Sequence, residues 1–271
     1  MFAFILSRHL SLLPMPTLDS SFRSQLLHAY LECSSSEQLV EWLRNIGQDT
    51  RGNAAEKKRR VADNTKYLTM PVEAFPQQTR WYLDDLSSEG ITVVCQAIGL
   101  PTGGTRDSKY RRILREVAYR EGWMQRPVPG EITRGSVFQH LVWYPITKRG
   151  QYEKDYYSAC VEELKEAFGT EHVYEQLPMS YGSTLRIDVH VGHPQEKGIG
   201  IDFKLPSTNA DVQRAIGQLD QYKSKYGDDL IIVLLDHDLG AAGRTLFLDA
   251  MRSRAVAVVE KKPTYEGLLA A

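Results

Sequence analysis

TLRIDVHV, at residues 184–191, and IGIDFKL, at residues 199–205, are the two stretches that decide the fold. In both, apolar residues alternate with other residues, and successive side chains of a β-strand point to opposite faces. Asp188, Asp202 and Lys204 therefore lie opposite the apolar sets. If the two strands pair as a hairpin, these three polar side chains share one face of a sheet. The predicted apolar set of the first strand is Leu185, Ile187, Val189 and Val191.

The sequence around the two stretches predicts an α/β domain over residues 128–271. A continuous apolar run at residues 230–235 is typical of a strand buried on both faces, which requires helices on both sides of the sheet. We therefore expect a mixed central sheet flanked by helices. Further predicted strands cover residues 172–178 and 255–260, and predicted helices cover residues 151–168, 209–226 and 241–253.

Two carboxylates and one ammonium on a common patch suit a specific chemistry. Carboxylate oxygens bind Mg²⁺, which keeps several waters and also takes phosphate oxygens. A bound metal lowers the pKa of its water and neutralises charge on a reacting phosphate. A surface ion pair between Lys204 and either aspartate is the alternative interpretation.

Asp188 followed after fourteen residues by Asp202-Phe203-Lys204 resembles the PD-(D/E)XK nuclease superfamily, whose members share the restriction-endonuclease-like fold. Ile187 stands where the superfamily pattern has proline. The resemblance implies that Asp188, Asp202 and the main-chain carbonyl of Phe203 bind Mg²⁺, for which Mn²⁺ substitutes. It also implies that Lys204 serves the nucleophilic water, and that the products carry 5′-phosphate and 3′-hydroxyl ends.

The resemblance further implies a glutamate from the helix before the hairpin. Helical periodicity selects Glu153, which lies one turn before Tyr157 on the apolar stripe, whereas Glu162, Glu163 and Glu166 lie on the opposite face. A carboxylate on a buried face needs a partner, and a metal site supplies one. The alternative is a frayed first turn in which Glu153 favours the helix dipole.

Four other residues are candidates for positioning the substrate. Gln218 and Tyr222 are neighbours on one helix face and resemble the Gln-x-x-x-Tyr element of helicase-linked nucleases in this superfamily. Arg186 is a candidate phosphate contact, and His190 lies on the same side of its strand as Asp188. For Tyr222 and His190, a purely structural role in the domain stays open.

The first half of the chain contains an internal repeat with an offset of 52 residues. IGQDTRG at residues 46–52 returns as IGLPTGG at residues 98–104, and the similarity continues through Val61 and Ile113. Each copy predicts a helix, a glycine-containing extension and a basic helix, over about residues 36–63 and 91–118. Gly47 and Gly99 occupy C-cap positions, and Thr50 and Thr102 are predicted to help cap the second helices.

The second copy resembles the SAP family of helix-extension-helix DNA-binding modules through Gly99-Leu100-Pro101-Thr102 and the basic residues that follow. The first copy departs from the pattern at Gln48 and Asp49. We predict an all-α domain over residues 1–127 that binds DNA. The predicted DNA-binding residues are Lys57, Lys58, Arg59, Arg60, Thr102, Gly104, Arg106, Lys109, Arg111 and Arg112.

The alternative for these helices is a pair of solvated basic helices, or a helical hairpin that binds protein. Charge favours the DNA interpretation, because residues 1–150 hold 20 basic and 15 acidic residues (net +5). Residues 151–271 hold 13 basic and 19 acidic residues (net −6). A basic half joined to an acidic half suggests that one part holds a polyanion.

Composition excludes several other classes of protein. Hydrophobic residues make up 42% and charged residues 25%, which argues against disorder, and no apolar run approaches the length of a transmembrane helix. Three cysteines without CxxC spacing argue against a Cys-based zinc site and fit a reducing cytoplasm.

The sequence therefore predicts a Mg²⁺-dependent DNA nuclease, cytoplasmic or nucleoid-associated, that acts on double-stranded DNA without a membrane partner. Cutting both strands would favour a homodimer. Two alternatives stay open, namely a nuclease-fold module that only binds nucleic acid and an RNA-directed nuclease.

Overall fold

The computed structural model describes residues 20–71, 74–128, 131–144, 152–180, 182–235 and 239–261. The predicted linker residues 129–130 and the end of the ambiguous segment 131–150 lie outside these ranges. The chain divides into two compact units, Met1–Gln125 and Arg126–Ala271, and each is described by itself. Within the described ranges, no helix has the length and apolar character needed to cross a bilayer.

The described residues of the first unit, called the helical unit below, form six α-helices. The predicted helix at residues 36–45 is present with the same bounds, and the helix predicted at 91–98 begins three residues earlier. The helices are α1 (Ser20–Cys33), α2 (Ser36–Asn45), α3 (Ala54–Asn64), α4 (Phe75–Asp84), α5 (Ser88–Ala97) and α6 (Arg106–Arg120).

The repeat is reproduced in the caps of the helices. Ser35 and Ser87, 52 residues apart, cap α2 and α5 with their side chains, and Asn53 and Thr105 do the same for α3 and α6. The prediction that Thr50 and Thr102 cap the second helices is therefore wrong. Each extension is three residues longer than predicted. The side chain that accepts a hydrogen bond from the N3 backbone N–H therefore belongs to the residue directly before the helix.

Glycine permits the turns of both extensions. Gly47 and Gly99 have φ of +69° and +75°, and Gly52 and Gly104 have φ of +105° and +98°. These values lie in the left-handed region that only glycine adopts at low cost. In each copy the chain reverses after the first helix through equivalent hydrogen bonds, from Gln48 N to Leu43 O (2.7 Å) and from Leu100 N to Cys95 O (2.8 Å).

The structure extends the repeat to the first helices, α1 and α4. The sequence YLECSSSE at residues 30–37 returns as YLDDLSSE at residues 82–89, with the same offset of 52 residues. The equivalent tyrosines, Tyr30 and Tyr82, stack on each other with ring centroids 5.1 Å apart and an interplanar angle of 14°. The helical unit is thus two three-helix copies that share one core.

The second unit, called the sheet unit below, contains a five-stranded mixed sheet between helices. The strand order is β1-β2-β3-β4-β5; the first two pairings are antiparallel and the last two are parallel. The strands are β1 (Val173–Pro178), β2 (Arg186–Val191), β3 (Ile199–Lys204), β4 (Leu230–Leu235) and β5 (Ala257–Lys261). The helices are α7 (Arg134–Trp143), α8 (Glu153–Phe168), α9 (Asn209–Tyr226) and α10 (Ala241–Ser253).

Two apolar cores cover the two faces of this sheet. One core joins α7 and α8 to Val189, Ile201 and Phe203, and the other joins α9 and α10 to Ile232 and Leu234. All six residues of β4 are buried, as the continuous apolar run predicts. Residues 137–144, which the sequence leaves open between strand and helix, belong to α7 except for the last one.

The alternation of β2 departs from the prediction at Ile187. Val189 and Val191 pack against α7 and α8, but Ile187 packs in the core formed by α9 and α10. The prediction that these residues share one face is therefore wrong. The change of face occurs at Asp188, where the pairing of β2 with β3 has ended at Val189 and the pairing of β2 with β1 continues from Val189 to Ile187.

Candidate active site

The hairpin of β2 and β3 brings the two predicted aspartates together. Val189 pairs with Ile201, so continuing the same register places Asp188 opposite Asp202. Oδ2 of Asp188 accepts a hydrogen bond from the backbone N–H of Phe203 at 2.8 Å. The carboxylate of Asp188 therefore lies across β3, next to the segment that carries Asp202 and Lys204.

Asp202 and Lys204 form a buried ion pair. Nζ of Lys204 lies 2.8 Å from Oδ2 of Asp202, and only 14% and 2% of the two side chains are exposed. The pair predicted by the alternative interpretation is thus present, but it is not on the surface. Removing both groups from water is costly, and the pair by itself is weak evidence for stability.

The buried charges shift one another's pKa values. Burial raises the pKa of Asp202 to about 7, against the opposing effect of Lys204, and the charges of Asp188 and Glu153 raise it further. Burial alone would lower the pKa of Lys204, but the carboxylates, with Asp202 first, outweigh it and raise that pKa. Three acids and one amine therefore interact at one place.

Glu153 reaches this place from the first turn of α8. Its Oε1 accepts a hydrogen bond from the backbone N–H of Leu205 at 3.0 Å, directly after β3. This contact ties the start of α8 to the end of the strand that carries Asp202 and Lys204. Glu153, the glutamate that helical periodicity selects in the sequence, is thus the one found next to Asp202 and Lys204.

Gln176 is a residue of the site that the sequence analysis does not identify. It lies on β1 between the pairs Glu175–Val189 and Leu177–Ile187, and its Nε2 donates to Oδ1 of Asp188 at 2.8 Å. Its φ is +52°, which is strained for a residue with a side chain. Such strain is found at functional sites, where the surrounding structure holds it.

Tyr222 on α9 forms one side of the site. The Nζ atom of Lys204 lies over its ring, 5.9 Å from the centroid. Its hydroxyl donates to the carbonyl of Arg186 at 3.2 Å, and burial, followed by the charges of Asp202 and Asp188, raises its pKa. Gln218, one turn earlier, is half-buried. Arg186 is exposed, and its guanidinium donates to the carbonyl of Gln176 at 2.8 Å.

His190 contacts the turn after β2 and helix α9. Its Nδ1 lies 3.2 Å from the hydroxyl of Tyr226, and its Nε2 lies 3.0 Å from the carbonyl of His193. The side chain is fully buried, and burial lowers its pKa. These contacts give His190 a structural role at the turn end of the hairpin.

The donor set of the site suits a hard cation. Oδ2 of Asp202 is buried and lies 2.8 Å from the ammonium of Lys204. The charges of Asp188 and Glu153 act on the same carboxyl, so three acids share one lysine, and carboxylate oxygens are the ligands that Mg²⁺ takes in proteins. Within the described residues, no three acidic, histidine or cysteine side chains are already arranged as a complete set of metal ligands.

In the helical unit, many of the predicted DNA-binding residues make internal contacts. Arg60 and Arg112, which are equivalent in the repeat, donate to carbonyls of their own extensions, Asp49 and Arg51 in one copy and Pro101 and Gly103 in the other. Their guanidinium groups therefore hold the extension in shape.

The remaining predicted DNA-binding residues differ in how they are placed. Lys57 donates to Ser36, Lys58 pairs with Glu32, Lys109 donates to Thr92, and Arg106 donates to carbonyls at the end of α4. Lys109 and Arg111 are buried. The exposed members of the set are Arg59, Thr102 and Gly104.

Comparison of the chain with protein-family models, with curated proteins and with solved structures yields no match. The functional argument therefore rests on the geometry of the chain itself.

Proposed function

We propose that the chain is a metal-dependent deoxyribonuclease whose sheet unit has the restriction-endonuclease-like fold of the PD-(D/E)XK superfamily. One observation carries the proposal. Asp188 and Asp202 on adjacent antiparallel strands, Lys204 on the second strand and Glu153 on the preceding helix interact in one partly buried cluster. Burying three carboxylates beside a single lysine is costly unless a further positive group joins them.

In this proposal, Asp188, Asp202 and the main-chain carbonyl of Phe203 hold a magnesium ion, with Glu153 beside them. When bound, the ion would supply an acidified water and neutralise negative charge on the phosphate. Lys204 presents an ammonium next to the acids, where it orients water and stabilises negative charge. Gln176 and the N–H of Phe203 each bind one oxygen of Asp188 and fix the orientation of that carboxylate.

The helical unit holds the nucleic acid in this proposal. Its exposed Arg59 and the exposed residues of the extension at Thr102 and Gly104 are the surface that remains for phosphate contacts. The engaged arginines, Arg60 and Arg112, contribute by shaping the extensions rather than by touching phosphate.

A cleavage assay with matched variants tests the proposal. Supercoiled plasmid is incubated with the full chain in Mg²⁺, in Mn²⁺ or in chelator, and the ends of the products are mapped. We expect cleavage only with metal, and a rate at least about 100-fold lower for Asp188→Asn and Lys204→Ala. Asp229→Asn, in the exposed ion pair with Lys197, is the matched control and keeps the wild-type rate.

Equal cleavage by all four proteins would reject the site. Binding of DNA without cleavage by the wild type would identify a module that only binds nucleic acid. Matched DNA and RNA duplexes in the same assay separate a deoxyribonuclease from an RNA-directed enzyme.

A further inference from the structure

A groove opens in the helical unit between α2, α3 and α4. Its cavity has a volume of about 600 Å³, within the range of roughly 300–1,000 Å³ that is usual for small-molecule sites. The half-buried ring of Trp81 lines the groove, the rings of Trp42 and Tyr82 behind it are buried in the core, and polar side chains lie beside them. The residues used below are Trp42, Trp81, Tyr82, Asn45, Gln78 and Lys66.

The internal repeat supplies a built-in comparison for this groove. Fifty-two residues away, Trp81 corresponds to Ala29 and Gln78 corresponds to Leu26, and both of these are buried apolar residues. Asn45 corresponds to Ala97. The same architecture thus folds with small or apolar residues at these positions. The aromatic and amide side chains that line this groove are therefore not demanded by the packing of the repeat.

The spacing between α2 and α4, which flank the groove, differs from the spacing between the equivalent helices α5 and α1. A Cβ on Gly90 of α5 would lie only 3.3 Å from the Cβ of Cys33 on α1, so those helices approach closely. The equivalent of Gly90 is Gln38, whose side chain donates to the carbonyl of Asp85. Next to it, the rings of Trp42 and Trp81 lie 6.0 Å apart between α2 and α4.

We propose that this groove binds an unpaired nucleobase of the nucleic acid on which the protein acts. The proposal rests on the proposed function in that it takes nucleic acid as the ligand. The half-buried indole of Trp81 is a surface on which any base can stack. The exposed side-chain amide of Asn45 offers both a donor and an acceptor to the polar edge of a base, and Gln78, which bonds to Tyr82, lies beside it.

The charge around the groove fits the same ligand. Lys66 is an exposed lysine of the lining, and the basic helix α3 ends two residues before it. An ammonium at this position suits the phosphate that is attached to a base. A planar ring with polar edges and an attached anion matches all three features of the groove.

Binding measurements in chelator test the groove independently of cleavage. The probes are a short single-stranded oligodeoxynucleotide, a fully paired duplex and the same duplex with one extra unpaired base, each labelled for fluorescence anisotropy. The variants replace residues by their equivalents in the other copy of the repeat: Trp81→Ala, Gln78→Leu and Asn45→Ala. Glu41→Ala, on an exposed face of α2, is the control.

We expect the wild type and Glu41→Ala to bind the single strand and the bulged duplex more tightly than the paired duplex. Trp81→Ala should weaken binding of the single strand by roughly 5- to 100-fold, because one stacking ring is lost. Gln78→Leu and Asn45→Ala should weaken it less. Asn45 is exposed, so its variant keeps the fold if Trp81→Ala disturbs it.

Equal affinity of all variants for the single strand, or no preference for the bulged duplex, would overturn the proposal. Because no metal is present, these results do not depend on whether the sheet unit cleaves DNA. A chain that fails the cleavage assay and still shows the groove effect would retain the binding site and lose only the nuclease function.

Discussion

Two lysine–aspartate ion pairs lie at opposite ends of β3, and the nitrogen–oxygen distance is the same in both. Lys204 and Asp202 are 2.8 Å apart, and so are Lys197 and Asp229. The exposed fractions of their side chains differ, at 14% and 2% for the first pair and 54% and 38% for the second. Water screens the second pair, whereas the first interacts in a medium of low dielectric constant.

The comparison shows that distance alone does not reveal what an ion pair does. The exposed pair has the properties of ordinary surface charges. The buried pair contains an acid whose pKa burial raises to about 7, with the charges of Asp188 and Glu153 acting in the same direction. Perturbed charges of this kind are typical of functional sites.

The largest expected effect comes from removing the buried lysine. Lys204→Met leaves Asp202 buried without its cation, and we expect a loss of about 3 kcal/mol in the free energy of unfolding at pH 8. The loss should be smaller at pH 5, because protonated Asp202 no longer needs a cation. Urea unfolding of the full chain, followed by circular dichroism in chelator, measures both values. Lys197→Met is the control, and an equal loss in that variant would contradict the difference between the pairs.

Asp202→Asn should change how stability depends on pH. The folded state holds a proton on Asp202 up to about pH 7, whereas the unfolded state releases it near the ordinary value of 3.8. This group therefore lowers the free energy of unfolding as the pH rises from about 4 to 7, and its contribution is level above that window. We expect Asp202→Asn to remove this fall, while the ammonium of Lys204 loses its buried partner and lowers the stability of the variant at pH 8. Unfolding across pH 4–8 checks this, and Asp229→Asn should leave the slope unchanged.

A middle-sized effect is expected at Gln176, the strained neighbour of Asp188. Gln176→Gly and Gln176→Ala both remove the donor to Asp188, but only glycine relieves the positive φ. We expect the glycine variant to be more stable than the alanine variant by about 1 kcal/mol. Both should lower the cleavage rate, because Asp188 loses one of its two fixed donors. Equal stability of the two variants would show that the backbone there is not strained.

The sequence predicts the acids of the site but not their immediate surroundings. Helices α9 and α10 and strand β4 have the predicted bounds, because local signals end them: the capping box of Thr208 and Asp211, Gly227 after α9, and the apolar run of β4. Asp188, Asp202 and Glu153 follow from the periods of a strand and a helix.

What escapes prediction depends on contacts between elements. The positive φ of Gln176 and the change of face at Ile187 arise where three strands meet, and no local pattern encodes them. The equivalence of the first helices of the repeat, α1 and α4, is predictable from the sequence, because Tyr-Leu and Ser-Ser-Glu recur at an offset of 52 residues. The internal bonds of Arg60 and Arg112 likewise require the folded extension, so a basic residue in the sequence does not by itself indicate a surface for DNA.

The smallest effect is expected for the exposed pair. Exchanging its charges in the double variant Lys197→Asp/Asp229→Lys keeps the attraction, and solvent accommodates either orientation. We expect the free energy of unfolding to change by no more than about 0.5 kcal/mol, and added salt to reduce the change further. The same exchange in the buried pair, Asp202→Lys/Lys204→Asp, puts the carboxylate at residue 204, where the charges of Glu153 and Asp188 already act, and we expect a larger loss of stability there than in the exposed pair. If urea unfolding shows the same change in the free energy of unfolding for both exchanges, the buried pair is no more sensitive to its surroundings than the exposed pair. That result would contradict a specific arrangement of acids around Lys204.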